Sequence, residues 1–189
     1  ANRFDVSSVL TVSDTVLAAL TAGDQVTGAD STLSTPTVAA IAATPDAATS
    51  LSVSVASDSP AASTIVAGQG AADLVHFTFT NGGASEAVIT SLTVTRVGVS
   101  ADTTPSALYI YDGATRLTDS ASISEGTATF AVSTGIITLA AGASKTLAIK
   151  SDIAASTSGQ IVGMSIVSAS DITTNDTGDT VSGTFPVNG

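Results

Sequence analysis

The sequence predicts an all-β protein folded as an antiparallel β-sandwich, and three observations predict it. From Ser50 onward, short runs of apolar and hydroxyl residues alternate with period two, the periodicity of half-buried strands. Gly, Asn and Asp turn signals punctuate these runs at short intervals. Helical periodicity is nearly absent after Ser50. A chain of 189 residues, 43% hydrophobic, is long enough for one well-packed domain with an appendage. The expected organisation is therefore an N-terminal arm over residues 1–49 and a sandwich domain over residues 50–189.

The arm differs in composition from the domain. Phe4 is its one aromatic residue, and after Gly23 it runs without a base and is rich in Ser, Thr and Ala. Its opening reads as one short helix, with Val6, Val9, Leu10, Leu17 and Leu20 on one face, Asp5 as a cap and Gly23 as a stop. The same stretch also reads as strand, because Val6, Val9, Thr11, Val12, Thr15 and Val16 are β-branched. Thr37-Val-Ala-Ala-Ile-Ala-Ala43, between Pro36 and Pro45, is a small-residue apolar run suited to lie as a strand against another sheet.

In the domain, Leu51, Val53 and Val55 alternate with serines, and Asp58-Ser59-Pro60 interrupts before Thr64-Ile65-Val66 resumes. Residues 73–97 read as a hairpin. Its first arm places Val75, Phe77 and Phe79 on one face and His76, Thr78 and Thr80 on the other. Asn81-Gly82-Gly83 would supply the positive-φ turn, and the second arm would send Val88, Leu92 and Val94 inward. A second hairpin is expected from residues 107–111 through Asp112-Gly113 to 115–117. Further strands are expected at 127–132 around Phe130, at 136–139, and at 146–150, where Leu147 and Ile149 point inward and Lys150 outward. Residues 160–167, apolar on both faces, read as a central strand, and 181–187 closes the chain. Seven to ten strands at this spacing suggest an immunoglobulin-like topology.

Composition excludes several functions. Sixteen acids against five scattered bases give a formal charge of -11, which opposes electrostatic binding of nucleic acid or anionic lipid. The absence of Cys removes disulfides, thiolate metal sites and Cys nucleophiles. No apolar run approaches the roughly 20 residues of a membrane-spanning helix, so no membrane insertion is expected. Only 11% of residues are charged, so solubility rests on hydroxyls, a surface suited to a secreted, extracellular or cell-surface protein; a start at Ala1 is compatible with cleavage of a leader after a small residue and equally with an arbitrary boundary.

Four segments carry a family resemblance: Leu51-Ser-Val-Ser-Val-Ala-Ser-Asp-Ser-Pro60, Leu108-Tyr-Ile-Tyr-Asp-Gly-Ala-Thr-Arg-Leu117, Ile137-Thr-Leu-Ala-Ala-Gly-Ala-Ser-Lys-Thr-Leu147 and Val167-Ser-Ala-Ser-Asp-Ile172. With them, residues 50–173 resemble the immunoglobulin-like repeat modules of long bacterial surface proteins of the surface-layer-like kind. The resemblance implies a structural module of cell-surface assemblies or adhesins and brings no catalytic residues with it. Those proteins often carry several modules in tandem. One module with a long arm suggests either an excised fragment or a subunit that polymerises through the arm.

Little in the chain points to catalysis. His76 is the single histidine, read as an exposed strand residue, and no Gly-x-Ser-x-Gly elbow surrounds a serine. Glu86 and Glu125 lie near turns, and nothing in their spacing selects a glycosidase pair. Asp171, Asn175, Asp176 and Asp179 form a loop dense in oxygen donors that suits calcium, although it lacks the EF-hand order. Asn175-Asp-Thr177 is also a glycosylation sequon. Lys145, Lys150, Asn81 and Asn188 are available for an isopeptide crosslink, which the outward-facing Lys150 argues against. No other cofactor is expected.

These readings converge on a non-enzymatic, secreted structural subunit. It would self-assemble as a homopolymer into a pilus-like fibre or surface layer, with Val38, Ala39, Ala40 and Ile41 adding a strand to the open sheet edge of a neighbour. The alternative is a glycan- or protein-binding module of a surface adhesin, with Tyr109 and Tyr111 as its aromatic pair and a host-cell surface as partner.

Overall fold

The computed structural model describes residues 50–176 and 178–189. The arm over 1–49, where a short helix and the connector Val38, Ala39, Ala40 and Ile41 are expected, lies outside the described residues. The described chain is nearly all β, in two sheets that enclose one core, as the alternation predicts.

The first sheet has the order β11-β1-β2-β8-β4-β5. Its members are β1 (Ser50–Val55), β2 (Ala72–Asn81), β4 (Pro105–Asp112), the two-residue β5 (Thr115–Arg116), β8 (Ser144–Ile153) and β11 (Thr180–Gly183). Every neighbouring pair is antiparallel except β1 and β11, which run parallel with Ser50 opposite Thr180. The 4–5 hairpin closes as expected: Asp112 pairs with Thr115 across Gly113 and Ala114, and Gly113 takes φ +57°.

The second sheet is built around β3 (Ala87–Val97). Along one edge of β3 run β6 (Thr127–Ala131) and then β7 (Ile137–Leu139). Along the other run β9 (Gly163–Ile166) and, after a single 3-10 turn at Ala169–Asp171, β10 (Ile172–Thr174). The short β12 (Val187–Asn188) pairs with β9, so β9 is internal and buried, as its two apolar faces predict. Each flank of β3 is thus one strand course broken in the middle.

The core fills the space between the sheets. Phe77, Phe79, Leu147, Ile149, Leu108 and Ile110 come from the first sheet, and Ile89, Leu92, Phe130, Leu139, Met164 and Ile166 from the second. Each is a strand residue at an inward position, so alternation translates directly into burial.

Three expectations are corrected. The arms of the first expected hairpin do not pair with each other: β2 lies in one sheet and β3 in the other, and residues 82–86 cross between them. Neither Gly82 nor Gly83 takes a positive φ. The crossing is held by Asn81, whose side chain is buried in the arch. Its Nδ2 donates to the carbonyls of Ser85 (2.8 Å), Leu139 (3.0 Å) and Ala140 (3.3 Å), and its Oδ1 accepts from the Gly83 amide at 2.9 Å. Second, Ile89 rather than Val88 faces inward, because the β3–β10 register jumps from Ser91 to Ile89 and this bulge reverses the facing of the strand's first half. Third, residues 64–66 are loop, with Val66 exposed, and the strand count among the described residues reaches twelve because two courses are broken.

Candidate functional site

Two surfaces gather chemistry, and the fold explains both. On the outer face of the first sheet, strand register places Asp73, Lys150 and Tyr109 in one row and His76, Ala148 and Tyr111 in the next. His76 faces outward as its alternation predicts, but it is not exposed: its side chain is only 17% accessible. The imidazole is held on both sides, with Nδ1 3.3 Å from Asp58 Oδ2 and Nε2 3.1 Å from Asp73 Oδ2. The amide of His76 donates to Ser59 Oγ at 3.0 Å, and its carbonyl accepts from the Ala56 amide at 2.9 Å. These bonds staple the turn after β1 onto β2. Because the carboxylates sit against opposite ring nitrogens, one ion cannot bind all three groups, and Lys150 adds an ion pair to the cluster at 3.5 Å from Asp73.

The two tyrosines stand beside this network on the outer face, not in the core. Their rings meet edge to face, with centroids 6.5 Å apart and planes at 83°. Each ring already carries a cation 5.3 Å from its centroid, Arg116 over Tyr109 and Lys150 over Tyr111. The Tyr109 hydroxyl donates to Asp152 Oδ2 at 2.9 Å, and this bond to the carboxylate, helped by desolvation, raises the phenol above its ordinary range. A second ion pair lies at the end of β3, where Asp102 accepts from the Gly126 amide at 3.0 Å and from Arg96 Nε at 2.9 Å. The amide bond first and the guanidinium second hold Asp102 below the usual carboxylate range.

The other surface is an end of the sandwich. Where β2 begins and β3 and β8 finish, residues 60–67, 97–98 and 157–163 enclose an open cleft of about 810 Å³. Among the described residues Asp73 carries the one ionisable side chain in its lining, and that carboxylate is already paired with His76 and Lys150. Three large apolar side chains are bare around this end: Val66 (69% exposed), Val99 (79%) and Ile161 (67%). The Ile161 amide donates to Val99 O at 3.1 Å, which holds two of them side by side. Gly98 makes this approach possible. It has φ +94°, and a Cβ there would stand 2.4 Å from the Ile161 carbonyl oxygen.

No protein-family model matches the chain, and no curated protein or solved structure does either. Function therefore rests on these surfaces.

The residues of the expected calcium loop each make hydrogen bonds that tie the loop to its own backbone or to β3. Asp171 closes the break between β9 and β10, its Oδ2 accepting from the amides of Val167 and Ser168, each at 2.9 Å. Asn175 ties the end of β10 to β3: its Oδ1 accepts from the Val88 amide at 3.2 Å, and its own amide donates to Val88 O at 2.9 Å. Asp176 Oδ1 accepts from the Gly178 amide at 2.9 Å, and its carbonyl accepts from the Asp179 amide at 3.3 Å. Among the described residues no three His, Asp or Glu side chains converge as metal ligands. Asn175 is exposed, as a glycan acceptor must be, and Thr177 of its sequon lies outside the described residues. Glu86 and Glu125 flank opposite ends of β3. Eight residues of strand separate Ala87 from Thr95, the partner of Thr127, or about 26 Å, well beyond a glycosidase pair. Among the described residues no helix is long and apolar enough to cross a membrane.

The cleft escaped sequence reasoning because loops build it. Its one local signal is Gly98 directly after an expected strand.

Proposed function

We propose that the chain is a secreted structural subunit that self-assembles head to tail into an extracellular filament or surface layer, with residues 1–49 joining one copy to the next. The observation that carries this reading is polarity. Ser50, where the arm joins, is bonded at the end of the sandwich where β2 finishes, its carbonyl accepting from the Gly82 amide at 2.8 Å. The bare apolar residues Val66, Val99 and Ile161 stand at the end where β2 begins. The ten residues of β2 separate the two ends by about 30 Å. A contact between unlike ends of identical chains is heterologous, and it propagates as a fibre when its rotation does not close a ring. An apolar end-to-end contact also suits a chain with few ions to offer, and an arm that adds as a strand satisfies backbone groups without side-chain charge. Kinship with immunoglobulin-like surface modules belongs to the same proposal.

Electron microscopy and sedimentation of the full chain beside a version lacking residues 1–45 test it. Polymers from the full chain alone support the reading; a full chain that stays monomeric while folded overturns it. The second reading, a glycan-binding adhesin module, is favoured by the outer-face position of Tyr109 and Tyr111, and it requires a ligand to displace Arg116 or Lys150 from their rings.

A further inference from the structure

Building on the head-to-tail reading, we infer that the cleft between residues 60–67 and 157–163 is the acceptor for residues 37–43 of a second copy, Thr37-Val-Ala-Ala-Ile-Ala-Ala43. Charge complementarity is the first argument. The cleft offers no unpaired ionisable side chain among the described residues, since Asp73 is held by His76 and Lys150, and the chain from Ser31 to Pro45 has no ionisable side chain. An uncharged segment enters such a site without stranding a charge. Shape is the second argument. Ala61, Ala62, Ala67, Gly98, Gly159 and Gly163 contribute almost no side chain to the lining, so an incoming backbone comes close, and a segment made mostly of alanine can lie flat there. Val38 and Ile41 are its two larger side chains, and Val66, Val99 and Ile161 are the bare apolar partners around the same end.

Reach is the third argument and separates a neighbour's arm from the chain's own. From Ser50 back to Ala43 are seven residues, which span at most about 25 Å when fully stretched. The path along β2 from Asn81 to Asp73 is itself about 26 Å. The chain's own segment would therefore arrive only with its connector drawn taut along the sandwich. A copy stacked end to end brings its Ser50 directly to the cleft and leaves the connector slack.

The chain has no cysteine, so pairs of introduced thiols report contacts without background. Ala40→Cys and Ile161→Cys are placed together in one chain, and assembly proceeds under mild oxidation. The expected result is a ladder of covalent multimers that needs both thiols. Closed monomers would show docking within one chain and overturn the inference. A ladder from Ala40→Cys with Thr127→Cys, which samples the exposed edge of β6, in place of the Ile161→Cys ladder would move the acceptor to that sheet edge and also overturn it. In both cases the self-assembly reading is judged separately, by whether the unmodified chain polymerises. Ile161→Asp provides a second measurement free of crosslinking geometry. The side chain is exposed, so circular dichroism should be unchanged, and the concentration needed for polymer should rise at least tenfold. Polymer at the unchanged concentration would refute the inference.

Discussion

Replacing Asn81 should unfasten the arch between the sheets, and the cost can be worked from its bonds. Asn81→Ala removes the donor to the Ser85, Leu139 and Ala140 carbonyls and the acceptor for the Gly83 amide. A buried polar group left without a partner costs about 1–3 kcal/mol. Four groups lose a bond, but the Ala140 carbonyl keeps the Ala143 amide at 3.0 Å and exposed Gly82 lets water reach part of the site, which places the total at about 3–5 kcal/mol. Against a domain stability of about 5–15 kcal/mol this is a large fraction. At roughly 3–4 °C per kcal/mol for a domain of this size, it lowers the melting temperature by about 9–20 °C. Urea melts followed by far-ultraviolet circular dichroism measure it directly. Asn81→Asp adds a sign to the test. The introduced carboxylate would face carbonyl oxygens, so its proton is held more tightly in the folded state than in the unfolded. The variant should therefore be weakest near neutral pH and recover as acid restores a donor. If Asn81→Ala costs less than about 1 kcal/mol, or Asn81→Asp shows no such recovery, the arch does not depend on this side chain and the reasoning fails.

Two further predictions concern the surface ion pairs. Asp102 titrates below its unfolded value, so its contribution is present above the ordinary carboxylate range and is lost as pH falls through the depressed folded value. Asp102→Asn should flatten that part of the acid limb of a stability-against-pH curve and leave the neutral limb parallel to wild type; an unchanged acid limb would contradict it. The phenol of Tyr109 is raised by its bond to Asp152, so spectrophotometric titration at alkaline pH should resolve one tyrosine ionising late. Asp152→Asn should bring that ionisation back toward the usual range, and an unchanged late ionisation in that variant would count against the assignment.

What could be read from the sequence was whatever alternates or turns locally. Val75, Phe77 and Phe79 point inward because period two leaves no other arrangement for a half-buried strand, and Asp112-Gly113 closes β4 onto β5 within four residues. Asn81-Gly82-Gly83 misled because the composition that builds a tight turn also builds a crossing between sheets. Only the distant carbonyls of Leu139 and Ala140, which take up the Asn81 amide, distinguish the two. Val88 and Ile89 exchanged roles because one bulge shifts the parity of everything before it. The parallel pairing of β1 with β11 joins Ser50 to Thr180, a separation no local pattern encodes. The candidate site is the extreme case: its walls come from segments that meet only at the end of the folded sandwich, and its small residues resemble any linker until Val66, Val99 and Ile161 are seen bare beside them.

The placement of β1 also has a mechanical consequence. It is paired on both sides, antiparallel to β2 and parallel to β11. A tension applied at Ser50 along the strand axis pulls it lengthwise against both neighbours, so the bonds of the two ladders share the load instead of peeling one after another. Loading in shear makes the first strand the grip of the domain. In a chain of such subunits the force would pass from each arm into this grip, across β2, and on to the cleft at the far end. Pulling at Ser50 should therefore meet a higher rupture force than pulling at Gly189, where β12 adds only two residues to the edge of β9.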